Sequence, residues 1–69
     1  MLEVNFYLKS GETLTHNIGI VAGSTPKRAA ENFTDTFSKL DILSAIDHLT
    51  GVYFVIRIDD VSALTIKIP

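Results

Sequence analysis

The residues whose types could do chemistry are few: His16 and His48, the adjacent acids Asp59 and Asp60, the cations Lys27 and Arg28, and Arg57 inside an apolar run. Two imidazoles converging with Asp47, Asp59 or Asp60 would suit zinc or another divalent ion. Their spacing matches no metal-binding signature, so the expectation is a half-buried His16 and an exposed His48 in a turn. Adjacent residues of an extended chain point to opposite faces. That argues against Asp59 and Asp60 acting as a catalytic carboxylate pair, and for a turn between two strands.

The stretch Gly23-Ser24-Thr25-Pro26-Lys27-Arg28 opens a helix. A helix N-terminus offers free N–H groups and a partial positive charge, so it can hold an anion. Lys27 and Arg28 add two cations in the first turn, where the dipole disfavours them, and binding of a phosphate, a carboxylate or an acidic surface would account for the choice. The plainer reading is preferred: Lys27 pairs with Glu31 at i,i+4 and Arg28 is solvated, at a cost of roughly a few tenths of a kcal/mol. Arg57 lies in the run expected to be most buried, so it must reach out to water or pair with a carboxylate such as Asp47 or Asp59, and a structural ion pair is the default expectation. On a sheet face lined with Tyr7 and Tyr53 it could also anchor an interface, since Tyr and Arg are enriched at binding hot spots. No Ser-His-Asp or Cys-His set, phosphate loop or dinucleotide glycine pattern is present. The expectation is a non-enzymatic chain without cofactor or metal, with Lys27, Arg28, Tyr53 and Arg57 as candidate binding residues.

The elements that must position these residues follow from hydrophobic period. Leu2, Val4, Phe6 and Leu8 alternate with Glu3, Asn5, Tyr7 and Lys9, a clean strand. A two-residue loop at Ser10-Gly11 would send the next strand's apolar residues to the wrong side. A three-residue loop, Lys9-Ser10-Gly11, sets Leu8 opposite Glu12, Phe6 opposite Leu14, Val4 opposite His16 and Leu2 opposite Ile18. The second strand, Glu12 to Ile20, is weakened by Asn17 and Gly19. Thr25 caps a helix with Pro26 at its first position. Pro26, Ala29, Ala30, Phe33, Phe37 and Leu40 form its apolar stripe, Asp35 and Lys39 an i,i+4 pair, and it ends near Ser38 to Leu40. Asp41 to Thr50 reads as a helix capped by Asp41 and stopped by Gly51, or as a strand with Ile42, Ser44 and Ile46 on one face. The strand is taken, because the very apolar run Val52 to Ile58 needs a neighbour and a hairpin supplies one. That run is apolar on nearly both faces, which predicts an interior strand covered on each side. Leu64, Ile66 and Ile68 then alternate with Ala63, Thr65 and Lys67 in a last strand, read as its neighbour.

The chain has 69 residues, one domain's worth, and no cysteine to staple it. So short a chain buries only about 60% of its unfolded surface. Hydrophobic residues are 46% of it, and the mean hydropathy is +0.29, high for a domain with so much unavoidable surface. Self-association, as a homodimer or larger, is therefore expected. A net charge of −2 lacks the basic footprint of a dedicated nucleic-acid binder. The alternating start, MLEVNFYLKSG, reads as neither signal peptide nor membrane span, so a cytoplasmic protein without membrane contact is expected.

The opening NFYLKSGETL (Asn5 to Leu14) and the closing TGVYFVIRIDDVSALTI (Thr50 to Ile66) resemble a loose class of short uncharacterised proteins of Gram-positive bacteria and their phages. The resemblance covers about half of the chain, is one of pattern, and carries over no functional residue. It implies a small interaction protein, some of this class being made by phages to bind host or phage machinery. The combined expectation is an α+β domain in the order β-β-α-β-β-β, one helix packed on an antiparallel sheet, with β-β-α-α-β-β as the alternative. It would serve as a protein-interaction module that binds itself and a host or phage protein. The alternative is a ligand, anion or nucleic-acid binder using Lys27 and Arg28.

Overall fold

In a computed structural model, which describes residues 1–69, the chain runs β1 (Leu2–Leu8), β2 (Thr13–Ile18), α1 (Pro26–Phe37), β3 (Ile42–Ile46), β4 (Tyr53–Arg57) and β5 (Val61–Lys67). This is a small α+β domain in the order β-β-α-β-β-β, with all strand pairs antiparallel. No helix is long and apolar enough to cross a membrane.

The first hairpin has the register that hydrophobic patterning requires: Leu2 pairs with Ile18, Val4 with His16 and Phe6 with Leu14. The Leu8 N–H donates to the Glu12 carbonyl at 2.8 Å and closes the three-residue loop. Gly11 takes φ +96° there, a conformation that an L side chain resists. β2 stops at Ile18, short of the expected Ile20, because Gly19 offers the ladder no side chain to pack.

The strands form two sheets rather than one: β2-β1-β5 and, separately, β3-β4. Two expectations are corrected here. The apolar run ending at Ile58 is not an interior strand covered on each side, since β4 pairs with β3 alone, and β5 is not its neighbour. The interior position belongs to β1, whose inward row Leu2, Val4 and Phe6 is buried to 1%, 0% and 0% exposure. A strand so deep needs a partner on both edges. β5 supplies the second, setting Leu64 against Phe6 and Ile66 against Val4. A 3₁₀ turn at Ile58–Asp60 carries the chain from one sheet to the other, held where the Lys9 N–H donates to the Asp60 carbonyl at 2.8 Å. Asp59-Asp60 is thus a turn.

Thr25 caps α1, its side-chain oxygen accepting from the Arg28 N–H at 3.2 Å, with Pro26 in the first turn. The helix ends at Phe37. Ala30 is buried in the core, and Ala29, Phe33 and Phe37 pack against it. The Phe33 and Phe37 rings stand 6.4 and 6.1 Å from that of Phe6, and the Phe54 ring 6.3 Å from it on the β4 side. Phe6 is therefore the meeting point of both sheets and the helix. Only eight of the 69 residues are buried, so each large core side chain carries an unusual share of the stability.

The outer face of β2-β1-β5 is polar. The Thr15 hydroxyl donates to Asn5 Oδ1 at 2.7 Å, and Asn5 Nδ2 donates to Thr65 Oγ1 at 3.3 Å. This is a wet face knitted by its own side chains.

Candidate protein interface on the β3–β4 hairpin

Alternation divides the hairpin's residues cleanly. Leu43, Phe54 and Ile56 point inward and are buried, and Ala45 joins them half-buried. Ile42, Ser44, Ile46, Tyr53, Val55 and Arg57 make up the other face, and all six are exposed. Across the ladder Ile42 lies beside Arg57, Ser44 beside Val55 and Ile46 beside Tyr53. Ile42, Ile46, Tyr53 and Val55 are 54%, 62%, 64% and 57% exposed. Leu49 and Val52, from the connecting turn, are exposed as well.

The backbone adds to this. Ile58 N–H donates to the Asp41 carbonyl at 2.9 Å, and Asp47 N–H to the Val52 carbonyl at 2.8 Å. These bonds bracket the ladder and make every second pair a hydrogen-bonded one. The intervening residues, Ile42, Ser44 and Ile46 on β3 and Tyr53, Val55 and Arg57 on β4, direct their backbone polar groups away from the hairpin. Both edges of the two-stranded sheet are thus open beside an apolar face.

What holds this hairpin against the larger sheet is Asp47, the one buried charged residue, 2% exposed. Its Oδ1 accepts from the N–H groups of Leu49 and Thr50 at 2.9 and 3.0 Å, which folds the Asp47–Gly51 turn. Its Oδ2 accepts from the Asn17 N–H at 3.1 Å and meets His16 Nδ1 at 3.0 Å, which ties that turn to β2. The His48 N–H adds a bond to the Asn17 carbonyl at 2.7 Å. The Thr50 N–H is the largest of the influences that hold the Asp47 carboxyl well below the usual carboxylate range. Burial opposes them, and the Asn17 N–H, the His16 imidazole and the Leu49 N–H reinforce them. The His16 ring stacks on Phe54 and tilts against Phe6, so an imidazole occupies a place in the apolar row of β2.

The residues singled out from sequence scatter across the molecule. Tyr53 and Arg57 share the hairpin face. Tyr7 does not join them, since it lies on the polar face of the other sheet beside Thr65. Arg57 corrects an expectation: it is exposed and forms no ion pair, because its strand buries only one face. Lys27 and Arg28 are exposed at the start of α1, and Lys27 forms no ion pair with Glu31, whereas Lys39 and Asp35 meet at 3.0 Å. His16 is half-buried and His48 exposed, and no three acidic or imidazole side chains converge on a point. Sequence reasoning missed Ile42, Ile46 and Val55 as surface residues, and the pairing of His16 with Asp47. A usable signal for the latter was Asp47 three residues before Thr50-Gly51, an Asx-turn pattern.

No protein-family model, curated protein or solved structure matches the chain.

Proposed function

We propose that this chain is a non-enzymatic protein-interaction module whose contact surface is the outer face of the β3–β4 hairpin, with Tyr53 and Arg57 as its polar-tipped anchors. The observation that supports this is the contrast between two sheet faces. Glu3, Asn5, Tyr7, Thr13, Thr15, Asn17, Thr65 and Lys67 furnish one of them, while Ile42, Ile46, Tyr53 and Val55 stand more than half exposed on the other. A two-stranded sheet bare on one side is marginal by itself, and a large apolar patch on a monomer marks a contact site. Its composition, aromatic and aliphatic with a single Arg and no acid, is that of an interface core. A host or phage protein, as the resemblance at Asn5–Leu14 and Thr50–Ile66 implies, is one class of partner for such a face.

The test is site-specific cross-linking. A photo-reactive phenylalanine replaces Tyr53 in one protein and Thr15, on the polar face, in another. The reading requires cross-links to protein, this chain included, from position 53 and few from position 15. Equal yields from both positions would refute it.

A further inference from the structure

We infer that the occupant of the hairpin face is a second copy of this chain, packed face to face across a two-fold axis above Ser44 and Val55. The inference rests on the reading of that face as the contact surface and names its partner.

The face is complementary to itself under two-fold symmetry. On β3 the exposed row reads Ile42, Ser44, Ile46, and on β4, antiparallel to it, Arg57, Val55, Tyr53. A two-fold axis lying between two such faces, perpendicular to the strands, superposes each row on itself reversed. Ile42 of one copy then covers Ile46 of the other, and Val55 covers Val55. The two Ser44 hydroxyls face each other near the axis, at a spacing that one water bridges. Tyr53 covers Arg57 of the second copy, and the reverse contact repeats it, so the face's only charge finds an aromatic ring twice. An isologous interface demands this self-complementarity, and sheets pack face to face with strands nearly aligned.

The face is also large enough to hold a second copy. Of the six residues on this face, Ile42, Ile46, Tyr53 and Val55 are each more than half exposed, and Ser44 and Arg57 are exposed beside them. At roughly 100 Å² for each such side chain, they present on the order of 600 Å². Two copies would bury about 1,200 Å² in all, above the roughly 1,000 Å² that a specific interface needs. For a chain whose whole accessible surface is 4659 Å², that is a large share. Pairing edge to edge would instead leave the apolar face uncovered and double its extent, so packing of the faces is favoured.

The experiment is sedimentation velocity between about 1 µM and about 1 mM chain, a range bracketing the affinities of small symmetric contacts. Circular dichroism confirms that each variant is folded, which is expected because every altered side chain is exposed. The wild type should reach twice the chain mass. Val55→Lys sets two ammonium groups together at the axis and should weaken the dimer at least about 100-fold. Tyr53→Arg opposes Arg57 and should weaken it similarly. The double variant Tyr53→Arg with Arg57→Tyr restores the reciprocal pair and should recover most of the affinity, while Thr15→Lys on the polar face changes nothing. A wild type monomeric throughout overturns the second-copy inference, and the cross-linking from position 53 then decides the broader reading by itself. A dimer indifferent to Val55→Lys forms through another surface and overturns the second-copy inference, and the cross-linking again decides the broader reading. A dimer broken by the single changes and not recovered by the swap overturns the two-fold register proposed.

Discussion

The imidazole of His16 lies flat on the ring of Phe54, with centroids 3.9 Å apart and planes within 2° of parallel. The two residues belong to different sheets that share no ladder hydrogen bond. The stack and the Asp47 hydrogen bonds therefore fasten the hairpin to β2, together with the backbone bond from His48 to Asn17, where ladder pairing is absent. Phe54 sits at the junction and also meets Phe6. Phe54→Ala should cost about 3–5 kcal/mol, against a total of about 3–10 kcal/mol for a chain of this length. The variant should lose much or all of its stability at room temperature, while Phe54→Leu, which keeps an apolar side chain and gives up the ring stack, should lose less, about 1–3 kcal/mol. Urea unfolding followed by far-UV circular dichroism measures both.

Asp47 makes stability depend on pH in a defined direction. Its folded-state pKa is depressed, so the folded protein binds the proton less readily than the unfolded chain. The stability it contributes is fully present above the ordinary aspartate range, about pH 4, and is lost as pH falls below that value. Between pH 7 and pH 3 the urea midpoint of the wild type should fall more steeply than that of Asp47→Asn. Parallel lines for the two proteins would show that the carboxylate's four hydrogen bonds carry no charge-dependent stabilisation.

Arg57→Ala should change stability by no more than about 0.5 kcal/mol when measured at low micromolar concentration, as for other exposed positions without partners. A loss of several kcal/mol would mean that the guanidinium is buried and paired, as its sequence context suggests.

Gly11 at φ +96° is the one loop position where backbone strain decides the outcome in the first hairpin. Gly11→Ala has open space for its Cβ, so its cost is conformational alone, about 1–2 kcal/mol. Gly11→Asn should cost less, since Asn tolerates left-handed backbone better. Gly19→Ala is the converse case. Its Cβ would come 3.0 Å from His48 Nδ1. That ring is exposed and free to turn, so the His48 NMR resonances should shift while the melting temperature barely moves.

Much of the fold was legible in the sequence because it is local. The Leu8–Glu12 closure, the Thr25 cap and the alternation of Ile42, Ser44 and Ile46 each follow from residues a few positions apart. What stayed hidden is what joins distant segments. Period two assigns Leu64 and Ile66 to one face of a strand and says nothing about which strand lies alongside. β5 therefore read as a neighbour of β4, although it pairs with β1. The same gap explains Arg57, since an apolar run looks interior whether or not a second layer covers it. The pairing of His16 with Asp47 across the two sheets depends on a fold angle that no short window of sequence encodes, so the candidate interface was visible only as two of its members, Tyr53 and Arg57.

The pairing of β5 with β1 sets Glu3 directly beside Lys67. Entry and exit of the folded unit are therefore neighbours. A unit built in this way can ride as a guest within a surface loop of a larger host protein, joined at both ends with little stretching of either chain. It can equally be closed head to tail and reopened between Val21 and Ser24, an interval outside every strand and helix.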